Sequence, residues 1–516
     1  MVTSADHLAS SAGVGILRDG GSAVDAALAA GAVLAVTSPH MCGMGGDMFA
    51  LVHRPGEPVA ALCGAGRAGS GADSLQLRCE GHDLHIPLHG DIRSVTMPGC
   101  VDGWLELHRR YGRLPLGQIF EPAITYAAAG FPASPLLAAV VGDVVHLRGA
   151  HDFREPTMAT GGHLQAGTLI RRPGIATAMA AIASTGRSAW YQGAFGESLV
   201  ELGAGLFNRG DLARSQAEWV EPLRIGAWGH DLWTTPPPSQ GYLTLAGAAV
   251  ATGLDLPDDP DDPAWAHLLS EAARAVGSDR PDVLFDGADG AALLDPERLA
   301  AQRATIDPQH RGGAPVAAVP GDTTALCAVD RDRMAVSLIQ SNASGWGARI
   351  VEPVTGEFLH NRGIGFSLVA GHPAELLPGR RPPHTLSPAL VTRPDGSVRA
   401  VVGTMGGDAQ PQFLLQVLTR LLHGGATAGA AVEGPRWRLG GGGFGIWDEG
   451  GPAQIAVEKA ASPAWDTGLA ERGHDVARSR FDPDHGFGHT QLIDVDGEKL
   501  DGAADPRTVT GAAVGY

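Results

Sequence analysis

The stretch APVAAVPGDTTALCAVDRDRMAVSLIQSN, residues 314–342, joins two runs rich in Val, Ile, Leu and Thr through the charged turn Asp330-Arg331-Asp332-Arg333. A hairpin apolar on both faces must be covered from two sides, so this pair belongs inside a layered sandwich. The first run opens on a Gly-Asp corner and two threonines. Threonine suits strands because it is β-branched, and Gly-Asp is an ordinary turn. The same residues also suit chemistry. A cut between Asp322 and Thr323 would give Thr323 a hydroxyl and a free α-amine, and an amine pKa of about 7.7–8.0 lets it accept the hydroxyl proton.

Upstream, DGGSAVDAALAAGAVLAV places Ser22 as an N-cap with Asp25 three residues on, ahead of an alanine-rich helix whose small side chains imply close packing. SPHMCGMGGDMFALVH then turns from a glycine-rich loop into a strand, so residues 1–55 read helix, turn, helix, strand. Residues 101–130 read as two short helices. Residues 140–300 read as mostly helical, with the acidic LDLPDDPDDPAW as a solvated loop. Strands are expected at ALVTRPDG and RAVVGTMGG, a helix at PQFLLQVLTRLLHGG, and late strands near QIAVEK and TQLIDVDGEKLDGAADP. Without an internal repeat, these elements imply sheets between helical layers.

A formal net charge of −18 argues against a nucleic-acid or anionic-membrane partner, which the summed field would repel. Cys42, Cys63, Cys79, Cys100 and Cys327 are scattered without CxxC spacing, so neither a disulfide framework nor a zinc site is expected, and a reducing cytoplasm fits. No basic-then-apolar leader opens the sequence, and no run approaches the ~20 apolar residues of a membrane span.

GAGRAGSG holds a GxGxxG at Gly64, Gly66 and Gly69, but no amphipathic helix follows to present its N-terminus to a pyrophosphate, so no dinucleotide is expected. Arg67 within it is suited to gripping a carboxylate, or to plain exposure. FDPDHGFGH offers Asp482, Asp484, His485 and His489, residue types that bind metals; lacking a third cluster at a recognisable spacing, it reads as a polar loop. TMGGDAQPQ sets Gly406 and Gly407 between a strand and a helix, where their N–H groups can converge on an anion or simply connect the two elements.

Nine landmarks follow one another along nearly the whole chain: GILRDGGSAVDAALAAGAVLAVTSPHMCGMGGD, GAGRAG, TMPGCVDGW, PPPSQG, GDTTALCAVD, TLSPAL, GTMGGD, PRW and GHTQLIDVDGEKLDGAADPR. Together they resemble the γ-glutamyltranspeptidase family of N-terminal nucleophile hydrolases. NRGIGFS, HTLSPA and GTMGGDAQPQ resemble its transpeptidase-like branch that includes oxamate amidohydrolase. The resemblance implies an α/β fold, a four-layer αββα sandwich made from a large subunit, residues 1–322, and a small one, 323–516, both parts of one precursor. It implies that Thr323 is the nucleophile, first in self-cleavage at Asp322–Thr323 and then on substrate. Ser341 would hydrogen-bond that nucleophile, Gly406 and Gly407 would form the oxyanion hole, and Arg67 would hold a substrate carboxylate. No cofactor or metal is implied.

Departures from the family pattern bear on the substrate. Glutamyl-specific members bind an α-ammonium through an acid where this chain has Gly365, and a nearby amide position is Arg362. The serine pair that holds the α-carboxylate is replaced by His384 and Thr385, and the lid between Phe366 and Arg381 is shorter. Losing a charge-assisted pair typically costs about 2–5 kcal/mol. The implied donor is therefore a small molecule whose acyl group has a carboxylate and no α-amine, held by Arg67 and Arg362, such as an oxalyl or glutaryl amide. Water or an amine would accept the acyl group, with hydrolysis favoured. A true γ-glutamyl transferase, a hydrolase of carbon–carbon bonds and a non-catalytic homologue stay open, as does a homodimer of processed units.

Overall fold

The capping box expected at Ser22 forms, and it anchors more than one helix. In the computed structural model, which describes residues 1–312, 322–440, 454–481 and 485–516, Ser22 Oγ accepts from the Asp25 N–H at 3.1 Å and Asp25 Oδ2 accepts from the Ser22 N–H at 2.9 Å. The same Oδ2 accepts from the N–H groups of Arg113 and Leu114, which follow helix Cys100–Tyr111. Helix Ala23–Thr37 is buried along its whole length. Its alanines and Gly31 let it lie between helix His7–Arg18, helix Leu116–Ala129 and the strand Asp322–Val329.

Two antiparallel sheets form the middle of the molecule. The first has seven strands in the order Ala512–Val514, Val2–Ser4, Asp322–Val329, Ala335–Ala343, Asp47–His53, Ala60–Gly64 and Glu218–Val220. The second has six: Lys499–Ala504, Thr490–Asp496, Val398–Thr404, Ala389–Thr392, His230–Thr234 and Leu223–Ala227. Leu51, Cys327 and Val329 of the first pack between the sheets with Leu390, Val401 and Ile493 of the second. Helices including Ala23–Thr37 and Leu116–Ala129 cover the outer face of the first sheet. Tyr242–Thr252, Pro263–Gly277 and Gln410–Leu418 cover that of the second. The result is the four-layer αββα sandwich. Both sheets draw strands from each side of residue 322, so neither part of the chain completes either sheet alone.

The hairpin that demanded double cover receives it. Ala325, Cys327 and Val329 face the second sheet, while Leu326 and Ala328 face the helices. The two helices expected in 101–130 are Cys100–Tyr111 and Leu116–Ala129, and the strands expected at ALVT, RAVVGT and QIAV form as Ala389–Thr392, Val398–Thr404 and Gln454–Val457. Strand Val2–Ser4, and strands Glu218–Val220, Leu223–Ala227 and His230–Thr234 within the stretch read as mostly helical, were not expected. They are short, and the last three are largely half-exposed and interleaved with Arg, Gly, His and Asp, so pairing within a sheet overrides a weak local pattern. Residues 314–321 of the opening stretch lie outside the described residues, as do Asp482 and Asp484.

The GxGxxG glycines allow close approach of neighbouring backbone. A Cβ at Gly66 would stand 1.6 Å from the Met97 carbonyl oxygen, and one at Gly69 would stand 2.1 Å from that of Leu206. Among the described residues, no helix is long and apolar enough to cross a membrane.

Replacing Asp25 by Ala strands three buried or half-buried backbone N–H groups. The loss should be about 2–4 kcal/mol of unfolding free energy, read as a drop in denaturation midpoint.

Candidate active site

Thr323 and Ser341 stand near the ends of neighbouring strands, on the face turned toward the second sheet, and both are buried. Strand pairing is irregular between Gln340 and Ala343, where Ala343 takes φ 76°. This bulge leaves the Ser341 side chain beside the start of the opposite strand. Ser341 Oγ donates to the Asp322 carbonyl oxygen at 2.7 Å. It accepts from Thr323 Oγ1 at 3.0 Å, from the Ala343 N–H at 2.8 Å and from Arg362 Nη2 at 3.2 Å. One serine hydroxyl thus links the candidate nucleophile, the carbonyl just before it and a guanidinium.

Arg362 opens the 3₁₀ turn Arg362–Gly365 and is buried, with Nη1 donating to Thr385 Oγ1 at 2.8 Å. Burial pulls its pKa down to about 10 against the opposing fields of Asp47 and Asp408, which leaves it cationic at neutral pH. The neighbouring His384 is turned inward. Its Nε2 donates to Asp47 Oδ2 at 3.1 Å and its Nδ1 accepts from the Leu386 N–H at 3.2 Å. Burial, with Arg362 nearby, lowers the imidazole to about 3, so it is neutral. Both ring nitrogens are spent inside the protein, which makes His384 a support for the Thr385 segment.

Asp47 is a partner that the reading from sequence missed. Its Oδ1 accepts from the N–H groups of Gly66 at 3.0 Å and Gly99 at 3.2 Å. Burial opposes its charge, but His360, the His384 hydrogen bond and Arg362 together hold its carboxyl below the usual range. Its position in GMGGDMF was a visible acid, yet nothing local tied it to residues some three hundred positions away.

Gly406 and Gly407 turn the strand Val398–Thr404 into helix Gln410–Leu418 with φ 142° and 57°. A Cβ at Gly406 would also lie 2.6 Å from Phe413 Cε2. Neither amide N–H donates to another described residue. Gln240, from the PPPSQG landmark, bridges this turn to the Thr385 segment, its Nε2 donating to the carbonyls of Gly407 and Thr385 at 3.0 Å each. At Gly365 a Cβ would come within 2.5 Å of the Pro383 carbonyl oxygen, so the backbone leaves no room for an acidic side chain there.

Arg67 stands apart from this group. Its Nη2 donates to Glu218 Oε2 at 3.2 Å, an oxygen that also accepts from Arg381 Nη1 at 2.9 Å. None of its hydrogen bonds reaches Thr323, Ser341 or Arg362. Thr323, Ser341, Arg362 and Thr385 are brought together directly, with the two glycines joined to them through Gln240.

Beside Asp322 opens a cleft of about 470 Å³, lined by Leu136, Val140, Trp346, Met405, His40 and His489 among others. His40 and His489 are buried with neither ring nitrogen partnered, and burial lowers each to about 3. Of FDPDHGFGH, His485 and His489 therefore border the cleft, their rings 5.6 Å apart. The Asp322 carboxyl faces the cleft, and burial pushes its pKa up to about 6.

A family model described as gamma-glutamyltranspeptidase matches residues 9–515. The chain belongs to the γ-glutamyltranspeptidase family. It is 35% identical over 531 residues to the oxamate amidohydrolase proenzyme of Klebsiella pneumoniae, covering 100% of this chain and 98% of the relative. It is 34% identical over 530 residues to the glutathione hydrolase-like YwrD proenzyme of Bacillus subtilis, again covering 100% and 98%. Among solved structures it resembles a cephalosporin acylase from Bacillus halodurans, with a TM-score of 0.89 and 30% identity over 100% of this chain and 95% of that one. As a family member it is an enzyme of the N-terminal nucleophile type, an amide-cleaving hydrolase or acyl transferase.

The Asp322 carboxyl has a raised pKa in the folded, uncut chain, so its stabilising effect is full below the unfolded value of 3.8 and is lost as pH rises through about 6. An uncut Thr323→Ala chain should melt at a higher temperature at pH 5 than at pH 7.5. Adding Asp322→Asn should remove part of that difference; an unchanged difference in the double variant would clear Asp322 of the effect.

Proposed function

We propose that the chain cuts itself between Asp322 and Thr323, and that the exposed Thr323 then hydrolyses amides of a carboxylate-bearing acyl donor. The observation carrying this reading is the hydrogen-bonded file from Thr323 Oγ1 through Ser341 Oγ to the Asp322 carbonyl oxygen. In the uncut chain Thr323 Oγ1 attacks the Asp322 carbonyl carbon. Its proton passes to Ser341, whose own proton goes to the carbonyl oxygen, so the tetrahedral intermediate forms without a free oxyanion. Collapse breaks the C–N bond, with a proton returned to the Thr323 nitrogen, and leaves an ester. Water hydrolyses that ester to an Asp322 carboxylate, a free Thr323 hydroxyl and its α-amine.

In the cut enzyme the α-amine takes the hydroxyl proton as Thr323 Oγ1 attacks the substrate amide. The N–H groups of Gly406 and Gly407 meet the oxyanion, the ammonium protonates the departing amine, and water releases the acyl group from the acyl-Thr323 ester. Arg362 supplies positive charge at the site, and among the described residues its guanidinium hydrogen-bonds Thr385 and Ser341 and no carboxylate, which favours an anionic acyl group. Gly365 leaves no acid for an α-ammonium. An oxamate amidohydrolase and a cephalosporin acylase among the similar proteins support an amide-cleaving reading, and the glutathione hydrolase-like relative keeps γ-glutamyl donors as the comparison to test. The cysteines, all unpaired, favour a reducing cytoplasm.

Intact-mass measurement on freshly purified protein should resolve two fragments that meet at 322/323. Thr323→Ala should stay in one piece, and Ser341→Ala should process on the order of 10²-fold more slowly; wild-type processing in either variant would sink the relay.

Steady-state kinetics on oxalyl, glutaryl and γ-glutamyl amides should favour the donors without an α-ammonium. Arg362→Gln and Arg67→Ala should each raise KM for an anionic donor more than for a neutral ester. An equal rise for both donors would remove that arginine from carboxylate binding.

A further inference from the structure

Away from this site, three buried side chains from distant parts of the sequence meet. His267 and Glu271 stand one turn apart on helix Pro263–Gly277, which turns both toward the same side. His474 follows helix Pro463–Glu471, which packs against that helix. One donor atom of each lies within 4.8 Å of the others, and all three residues are buried. We infer that His267, Glu271 and His474 bind a zinc-class divalent ion, which tethers the chain preceding residue 322 to the chain following it.

The hydrogen bonds around the cluster leave ligand atoms free. His267 Nε2 donates to the Asp307 carbonyl oxygen at 2.9 Å, which turns the lone pair of Nδ1 toward His474 Nε2, 2.8 Å away. A backbone carbonyl holding the far nitrogen is how proteins orient metal-binding imidazoles. Glu271 Oε2 is fully occupied, accepting from Arg274 Nε at 2.8 Å and from the Gly312 N–H at 2.9 Å, with Arg274 Nη2 at 2.7 Å. Glu271 Oε1 is buried with no partner.

A simple hydrogen bond between the two imidazoles would account for the histidines and leave Oε1 unpaired, a buried orphan that carries a desolvation cost. An ion answers all three groups at once. The imidazole nitrogens need to part only to about 3.3 Å to share an ion at roughly 2.0–2.1 Å. Two nitrogens and one carboxylate oxygen select zinc over calcium or magnesium, which prefer oxygen donors in larger number.

The absence of a metal expected from the sequence rested on scattered cysteines, whereas His267 and His474 stand 207 residues apart and join only in the fold. Binding itself does not depend on cleavage. The tethering role rests on the proposed cut, because Asp307 and Gly312 would then lie near the end of the large subunit, held to an ion that His474 of the small subunit shares.

The test uses full-length protein stripped with chelator, titrated with zinc chloride by calorimetry, and loaded with Co²⁺ for visible spectroscopy. One zinc per chain, a tetrahedral Co²⁺ spectrum and a raised unfolding midpoint are expected in the wild type. His474→Ala and Glu271→Gln should lose all three while keeping the melting behaviour of the stripped wild type. Excess magnesium should not compete. No zinc uptake by the wild type overturns the site, and so does equal uptake by both variants, which would mark adventitious binding. Full zinc binding by an uncut Thr323→Ala chain supports the site, since it separates metal binding from the cleavage on which the proposed function depends.

Discussion

Double burial of the strand Asp322–Val329 is the constraint from which the rest of the architecture follows. With apolar side chains on both faces, the strand needs a second sheet on one side and a helical layer on the other, and each of those layers has its own inner face to cover. The strand is also hydrogen-bonded along both edges, to Val2–Ser4 and to Ala335–Ala343. Pairing with Val2–Ser4 reaches only to Leu326, and pairing with Ala335–Ala343 shifts register beside Thr323, so the start of the strand is held by the Ser341 hydrogen bonds and not by a regular ladder.

Charge inside this core is arranged so that each buried group has a counterpart. Arg362 remains cationic because Asp47 and Asp408 offset part of its burial, and Asp47 remains anionic because backbone N–H groups, His384 and Arg362 surround it. Asp322 contrasts with both. Burial raises its pKa with no charged partner to oppose it, and it occupies a cleft that holds two unpartnered neutral histidines. Removing that carboxyl from the cleft relieves a desolvation cost and opens polar space next to the nucleophile. Under the proposed cut, that desolvation cost would lie at the bond being broken.

Arg67 and His384 match positions of the pattern, and each already has contacts inside the protein. Arg67 shares Glu218 with Arg381, so a substrate carboxylate must compete with a half-exposed glutamate for its guanidinium. His384 spends both nitrogens on Asp47 and Leu386 and holds the segment from which Thr385 meets Arg362. The small residue at Gly365 is demanded by the Pro383 carbonyl, and this backbone contact excludes the acid more firmly than the absence of one in the sequence does.

Local chemistry was legible in the sequence wherever a short run carries its own cause. The capping box of Ser22 and Asp25, the hairpin turned at Asp330–Arg333 and the glycine turn at 406–407 follow from residue types and near neighbours. The short strands between 218 and 234 were not legible, because their weak alternation acquires meaning only when a sheet supplies hydrogen-bonding partners. The same holds for Asp47 against His384, for Gln240 across the glycine turn, and for His267 and Glu271 against His474. Each is an encounter between residues more than 140 positions apart, fixed by the packing of layers, and no local propensity encodes it. The sequence by itself determined which atoms could react and that they lie in a doubly covered strand. Tertiary structure alone decided what surrounds them, since burial and long-range hydrogen bonds set charge state, orientation and room for a ligand.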